Sequence, residues 1–273
     1  MMNTKLVTSQ LKEQNKEIDR GADAAKIFNN RSLAVDYKTL IPILKPGMRV
    51  LDIGCGTGAI SKGIADIVGP EGKVIAIDNT LDTVEAGKVL FAGVENLELQ
   101  HCDLFDFETE EQFDLVISAR TVQWLSVPLE AILKMKSLLK PGGTLSVLDY
   151  NHEKISWDPK PPKSMQIFYQ QFLKWRTDAG MDNQIADHLK GLVEQAGLKS
   201  IQEIDASETY TKDRSDFTSK VGIWSKVADN PQMKKDKYLS QEQSELTVKA
   251  YDAWVENEAV SMTMYLKEVR GVV

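Results

Sequence analysis

The sequence predicts an α/β protein with a mostly parallel sheet and helices on both faces. Two observations carry this. Short apolar runs alternate with longer segments of helical periodicity, and the first such run leads straight into glycines and then a helix. In residues 49–63, RVLDIGCGTGAISKG, Val50, Leu51 and Ile53 suit a strand buried on both faces. Gly54, Cys55, Gly56, Thr57 and Gly58 form the turn, after which Ala59, Ile60, Ile64, Ala65, Ile67 and Val68 recur at helical spacing. Glycine permits unusual backbone angles and leaves no side chain between the turn and a ligand. The unpaired N–H groups of the helix start face the same crevice.

The other elements follow in order. Residues 1–20 are polar and predict a loosely docked helix; apolar residues between 21 and 44 predict two short helices. Pro46 and Gly47 turn the chain into the first strand. Residues 73–77 (KVIAI) read as the second strand, closed by Asp78, with a helix over 81–92. Residues 97–100 and 113–118 (FDLVIS) are the third and fourth strands. An amphipathic helix over 129–139 ends at Lys140, Pro141, Gly142 and Gly143, and the fifth strand covers 144–148. Three prolines, Pro159, Pro161 and Pro162, then break the alternation ahead of a helix with Met165, Ile167, Phe168, Tyr169, Phe172, Leu173 and Trp175. Such an aromatic stripe suits a core or a pocket wall. A helix over 185–196, a sixth strand over 198–209, helices over 214–227 and 240–257, and a last strand over 259–269 complete the chain. Trp224 and Trp254 are expected as core anchors.

A chain of 273 residues, 42% hydrophobic and 27% charged, can bury a full core. Its net charge of -7 argues against a nucleic-acid or anionic-membrane partner. Only two cysteines occur, Cys55 and Cys102, and the first sits in the glycine turn, so a reducing compartment is expected. The first residues lack the apolar core of a signal peptide, and no apolar run is long enough to span a bilayer; the expected location is the cytoplasm. His101 has no metal-ligand partner at usable spacing, and no metal is expected. The sequence carries no signal for an oligomeric state.

Asp52 ahead of the G-x-G-x-G run makes residues 50–58 resemble motif I of the class I S-adenosylmethionine-dependent methyltransferases. The run LLKPGGTLSVLD resembles the segment that leads into that family's fifth strand. Gly54, Gly56 and Ala59 also satisfy the dinucleotide pattern G-x-G-x-x-A, which leaves an NAD(P)-dependent oxidoreductase as a rival. Asp52 and the P-G-G turn favour the methyltransferase. A non-catalytic module that binds the same cofactor is a second rival.

The resemblance implies a Rossmann-like seven-stranded sheet, mostly parallel with an antiparallel last strand, and helices on both faces. It implies an N-terminal helical cap (1–45), a cofactor-binding core (46–150), a substrate-side lid (151–185) and a C-terminal part with a helical insertion (186–273). S-adenosylmethionine is the implied cofactor. Its methionine half falls to Asp52, Gly54, Cys55, Gly56 and Gly58, with Ala119 and Arg31 nearby; Arg120 and Gln123 fall to that half or to the substrate, and Trp124 to the wall of the methyl-transfer site. Asp78 and Asn79 fall to the ribose, and Asp103 and Leu104 to the adenine. Independently of the family, an acid about 20 residues past a glycine turn can accept from both ribose hydroxyls, although Asp78 also suits a helix N-cap. Arg31 suits a solvated surface equally, and Arg120, Gln123 and Trp124 suit helix packing equally. No N-P-P-Y or D-P-P-Y follows the fourth strand, which points to a small-molecule acceptor rather than nucleic acid. His152, just past the fifth strand, is the candidate base, with a plain loop residue as its alternative; Tyr150 and Asp149 are neighbours that could assist.

Overall fold

A computed structural model describes residues 31–273. The helix expected over 1–20 and the start of the cap lie outside the described residues. A single turn α1 (Leu33–Asp36) and a 3-10 segment (Lys38–Ile43) lead into β1 (Arg49–Ile53). Then come α2 (Ala59–Val68), β2 (Lys73–Asp78), α3 (Leu81–Leu90), β3 (Leu97–His101) and β4 (Phe113–Ala119). A 3-10 turn (Val122–Trp124), α4 (Pro128–Ser137) and β5 (Leu139–Asp158) follow. The last third holds α5 (Lys163–Asp178), α6 (Ile185–Gln195), β6 (Lys199–Asp205), β7 (Glu208–Thr211), α7 (Phe217–Val221), α8 (Ile223–Ala228), α9 (Pro231–Lys235), α10 (Gln241–Asn257) and β8 (Ser261–Val272).

Among the described residues the strands form one sheet in the order β3-β2-β1-β4-β5-β8-β6, with β7 also on β8. The pairs from β3 through β5 are parallel, and β8 runs antiparallel to β5, β6 and β7. The chain order reverses between β1 and β4, so the crevice of a doubly wound sheet lies outside their carboxyl ends. Successive strand residues face opposite layers. Val50, Leu115 and Ile117 join α1, α2 and α5 in one apolar cluster, while Leu51, Ile53 and Val116 join α4 and α6 in the other. Both faces are covered, as the continuous apolar strands require.

Two strands differ from expectation. The predicted strand over 198–209 is divided, because the Asp205 carboxylate accepts the Ser207 N–H (2.9 Å) and turns the backbone. Both halves pair with β8, which gives an eighth strand. The fifth strand runs on to Asp158, past a register shift between Asn151 and Ser156. Its polar residues 151–154 obscure the strand locally; pairing with β8 on either side of the irregularity, to Asn151 and from Ser156, carries it to Asp158.

Candidate active site

The glycine turn is held by backbone bonds to the neighbouring strand: the Gly54 and Cys55 N–H groups donate to the Ile77 carbonyl (2.8 and 3.1 Å). Gly54 has φ of 75°, and a Cβ there would lie 2.1 Å from Thr121 Oγ1, so only glycine fits between the turn and the end of β4. Arg31, Asp52, Gly54, Cys55 and Ala119 line a small cavity over this turn, with Ala59 and Ile60 behind them.

Asp52 is buried at the end of β1 and accepts from Ser61 Oγ (2.6 Å). Burial, with help from nearby Asp78, lifts its pKa to about 7. Burial likewise raises the Cys55 thiol. Burial lowers Arg31, and neighbouring Arg120 lowers it further. A carboxylate and a guanidinium thus face one cavity, the donor set that suits a zwitterionic amino-acid head.

Asp78 closes β2 and is buried. Its Oδ2 accepts the Gly56 N–H (2.8 Å) and its Oδ1 accepts the Thr80 N–H (2.9 Å). Each oxygen keeps a lone pair for a further donor. The N-cap of α3 is Thr80, so Asp78 does not take that position. Asn79 is exposed at this lip. The Cys102 N–H donates to the Asp78 carbonyl (3.0 Å), which brings the turn after β3 alongside. There Asp103 Oδ1 accepts the Phe105 N–H (2.8 Å), and Leu104 is buried. Asp78 and the Asp103–Leu104 turn thus lie side by side at the carboxyl edge of β2 and β3.

Arg120, Gln123 and His152 are not in the cavity wall; they build a second cluster beside it. Arg120 has φ of 59° and is buried. Its guanidinium donates to Tyr150 Oη (2.6 Å), to the Asp36 carbonyl (2.8 Å) and to Glu208 (2.5 Å). Burial opposes its charge, but Tyr150, Glu208 and Asp36 together hold its pKa above the ordinary value. These three bonds tie the N-terminal segment to β5 and β7. Asp36 reaches Lys220 of α7 as well (2.7 Å).

Gln123 is held at both ends. Its N–H donates to Asp149 Oδ2 (2.9 Å) and its Nε2 to the Arg120 carbonyl (3.1 Å). That leaves its Oε1 for His152 Nε2, which must carry the proton. His152 Nδ1 is then a bare lone pair, buried and without a hydrogen-bond partner among the described residues. Burial, with Arg176 nearby, holds His152 well below its ordinary pKa, so the ring is neutral. Asp149, fully buried, is lifted to about 6 by burial, against its bonds from the Gln123 and Tyr150 N–H groups. The His152 ring lies 5.3 Å from Tyr150, 5.6 Å from Phe172 and 6.2 Å from Trp224 between ring centres.

Sequence reasoning did not place Trp224, Arg176 or Glu208 in this cluster. Trp224 is buried as expected, but against His152. Arg176 donates to the Asn183 side chain and the Gln123 carbonyl (both 2.8 Å). Its place four residues after Phe172 on the aromatic face of α5 was the available signal. Glu208 carried none, because its partner is 88 residues away.

Residues 44–203 match the family described as "Methyltransferase domain". The chain is 27% identical over 177 residues to a demethylmenaquinone methyltransferase of Staphylococcus aureus, covering 58% of this chain and 71% of that protein. Among solved structures it resembles the YcgJ protein of Bacillus subtilis (16% identity, 88% of this chain, 97% of that one, TM-score 0.58). It also resembles the Haemonchus contortus phosphoethanolamine N-methyltransferase 2 in complex with S-adenosyl-L-methionine (16% identity, 88% of this chain, TM-score 0.55). It spans about half, 51%, of the Haemonchus chain. At such identities the structural likeness speaks for the fold. The family match covers more than half of the chain, and the sheet order and the glycine turn agree with it: the protein belongs to the class I S-adenosylmethionine-dependent methyltransferases.

Proposed function

We propose that the chain moves a methyl group from S-adenosylmethionine to a small-molecule acceptor by in-line displacement. The observation that carries this reading is the cavity at the β1 and β4 ends, lined by both Asp52 and Arg31 at a glycine turn whose Gly56 N–H is held by the Asp78 carboxylate. Arg31 takes the methionine carboxylate, Asp52 its ammonium, Asp78 and Asn79 the ribose, and Asp103 and Leu104 the adenine.

The cofactor supplies an electrophilic methyl and a neutral leaving group, so no acid is required of the protein. The chain's part is placement of the acceptor and exclusion of water. His152 holds the acceptor's proton at Nδ1 where one must leave, since Gln123 keeps the other nitrogen protonated. Arg120 and Gln123 act by position: one braces the cap, the other sets the His152 tautomer.

The small-molecule assignment rests on the missing N-P-P-Y motif, the net charge of -7 and the relative that acts on demethylmenaquinone. A cytoplasmic setting suits Cys55 and Cys102, which form no disulfide. The test is transfer of label from methyl-labelled cofactor into a fractionated cell extract. The reading predicts label in the small-molecule fraction; label confined to RNA, DNA or protein would overturn it.

A further inference from the structure

One wall of the cavity over the glycine turn comes from outside the sheet. Asp52, Gly54 and Ala119 line it from the ends of β1 and β4, whereas Arg31 reaches it from the segment ahead of α1. An arginine side chain has many rotamers to lose, so a site that uses one gains from a backbone fixed beneath it.

Asp36 fixes that backbone. Its Oδ2 accepts the Ser32 N–H (2.8 Å), and its own N–H donates to the Ser32 carbonyl (2.8 Å). Ser32 Oγ accepts the Val35 N–H in turn (3.3 Å). Both backbone groups of the N-cap residue are thus held by one side chain and its own peptide, and the Ser32 N–H belongs to the peptide group that joins it to Arg31. Leu33 seats the same turn on α2: a Cβ at Gly63 would lie 2.7 Å from Leu33 Cβ, so no side chain fits between them.

The turn is also held from the far end of the chain. Asp36 is 5% exposed, and its Oδ1 accepts from Lys220 Nζ of α7 (2.7 Å). Its carbonyl accepts from Arg120 (2.8 Å), whose guanidinium also reaches Glu208 of β7. Removing one partner of a buried ion pair leaves the other charge less compensated, so loss of Lys220 loosens the turn that Asp36 closes. Neither Asp36 nor Lys220 lines the cavity itself.

We propose that Asp36 is a positioning residue for Arg31, and that Lys220, by holding Asp36, brings α7 into the selection of the cofactor's amino-acid head. This rests on the methyltransferase reading above, in which Arg31 takes the methionine carboxylate. The consequence is selectivity. A ligand that carries the carboxylate gains from the arm, and a nucleoside without it does not. The bonds that place Asp78 and the turn after β3 lie within the sheet edge and do not involve the arm.

The test is calorimetric titration of the full chain with S-adenosylhomocysteine and with 5′-methylthioadenosine, which keeps the adenosine and the thioether but lacks the amino-acid head. Asp36→Asn and Lys220→Met are compared with the unaltered chain and with Arg31→Met. The proposal predicts that each of the first two weakens S-adenosylhomocysteine about five- to tenfold and 5′-methylthioadenosine by less than about twofold. In the Arg31→Met background neither should weaken S-adenosylhomocysteine further, because both act through that side chain. Equal losses for the two ligands, an undiminished loss without Arg31, or unchanged affinity would overturn the proposal. Where 5′-methylthioadenosine binds too weakly to titrate, the Arg31→Met background decides alone. Lys220, 18% exposed, supplies the deciding variant where Asp36→Asn does not fold. An unaltered chain that fails to bind S-adenosylhomocysteine would overturn the methyltransferase reading as well. Binding that Arg31→Met leaves unchanged would overturn the role of the arm and leave the cofactor standing.

Discussion

The Asp78 carboxylate, at the end of one strand, accepts the Gly56 N–H in the turn after another (2.8 Å). One side chain therefore fixes the position of the glycine turn and, through its second lone pairs, offers acceptors to a sugar. Replacing it touches both. Asp78→Ala should weaken S-adenosylhomocysteine binding by about 1–3 kcal/mol, the scale of hydrogen bonds lost to a charged group. Unchanged affinity by titration calorimetry would remove the ribose assignment.

Asp52 makes stability depend on pH. Its folded pKa of about 7 lies above the unfolded value near 4, so the folded state holds the proton more tightly. The stability tied to that proton is complete below about pH 4 and is lost as pH rises through about 7. Asp52→Asn keeps an acceptor for Ser61 and removes the titration. The variant should be more stable than the parent at pH 8, by roughly 2–4 kcal/mol, with the gap narrowing at pH 5. A gap independent of pH in denaturant unfolding would contradict the burial argument.

The Asp36–Lys220 pair ties the segment that carries Arg31 to α7, with side-chain exposures of 5% and 18%. That exposure discounts the pair relative to a fully buried one. A double-mutant cycle with Asp36→Asn and Lys220→Met should give a coupling energy of about 1–2 kcal/mol. Additive effects would show the contact to be incidental.

Two glycines should respond in opposite ways to alanine. At Gly54 the added Cβ meets Thr121 and the backbone is left-handed, so Gly54→Ala should destabilise by about 2 kcal/mol or more and impair cofactor binding. Gly191 lies inside α6 with open space around it, and Gly191→Ala should stabilise by about 0.5–1 kcal/mol. Thermal unfolding of the two variants checks both signs.

How far the sequence led depends on the range of each interaction. The turn at Gly54–Gly58 and the acid at Asp78 were legible because the spacing of a strand, a turn and a helix is local. The parallel core followed from alternation of short apolar runs with helical segments. The split of the sixth strand was not legible, since Asp205 and Ser207 look like ordinary strand-edge polar residues until the carboxylate caps the turn. Nor was the length of β5, whose pairing with β8, more than 100 residues on, resumes at Ser156 after the irregular polar stretch. Arg120 showed the same limit: its sequence position placed it near the cofactor, but the partners it bonds, Asp36, Tyr150 and Glu208, come from distant parts of the chain. His152 could be named as a base from its place after a strand, whereas its tautomer needed Gln123, Asp149 and the Arg120 carbonyl together.

The most direct test of the central claim is a paired titration of the full chain with S-adenosylhomocysteine and with a nicotinamide dinucleotide. The account predicts saturable binding of the first and none of the second. Binding of the dinucleotide with no response to S-adenosylhomocysteine would contradict it.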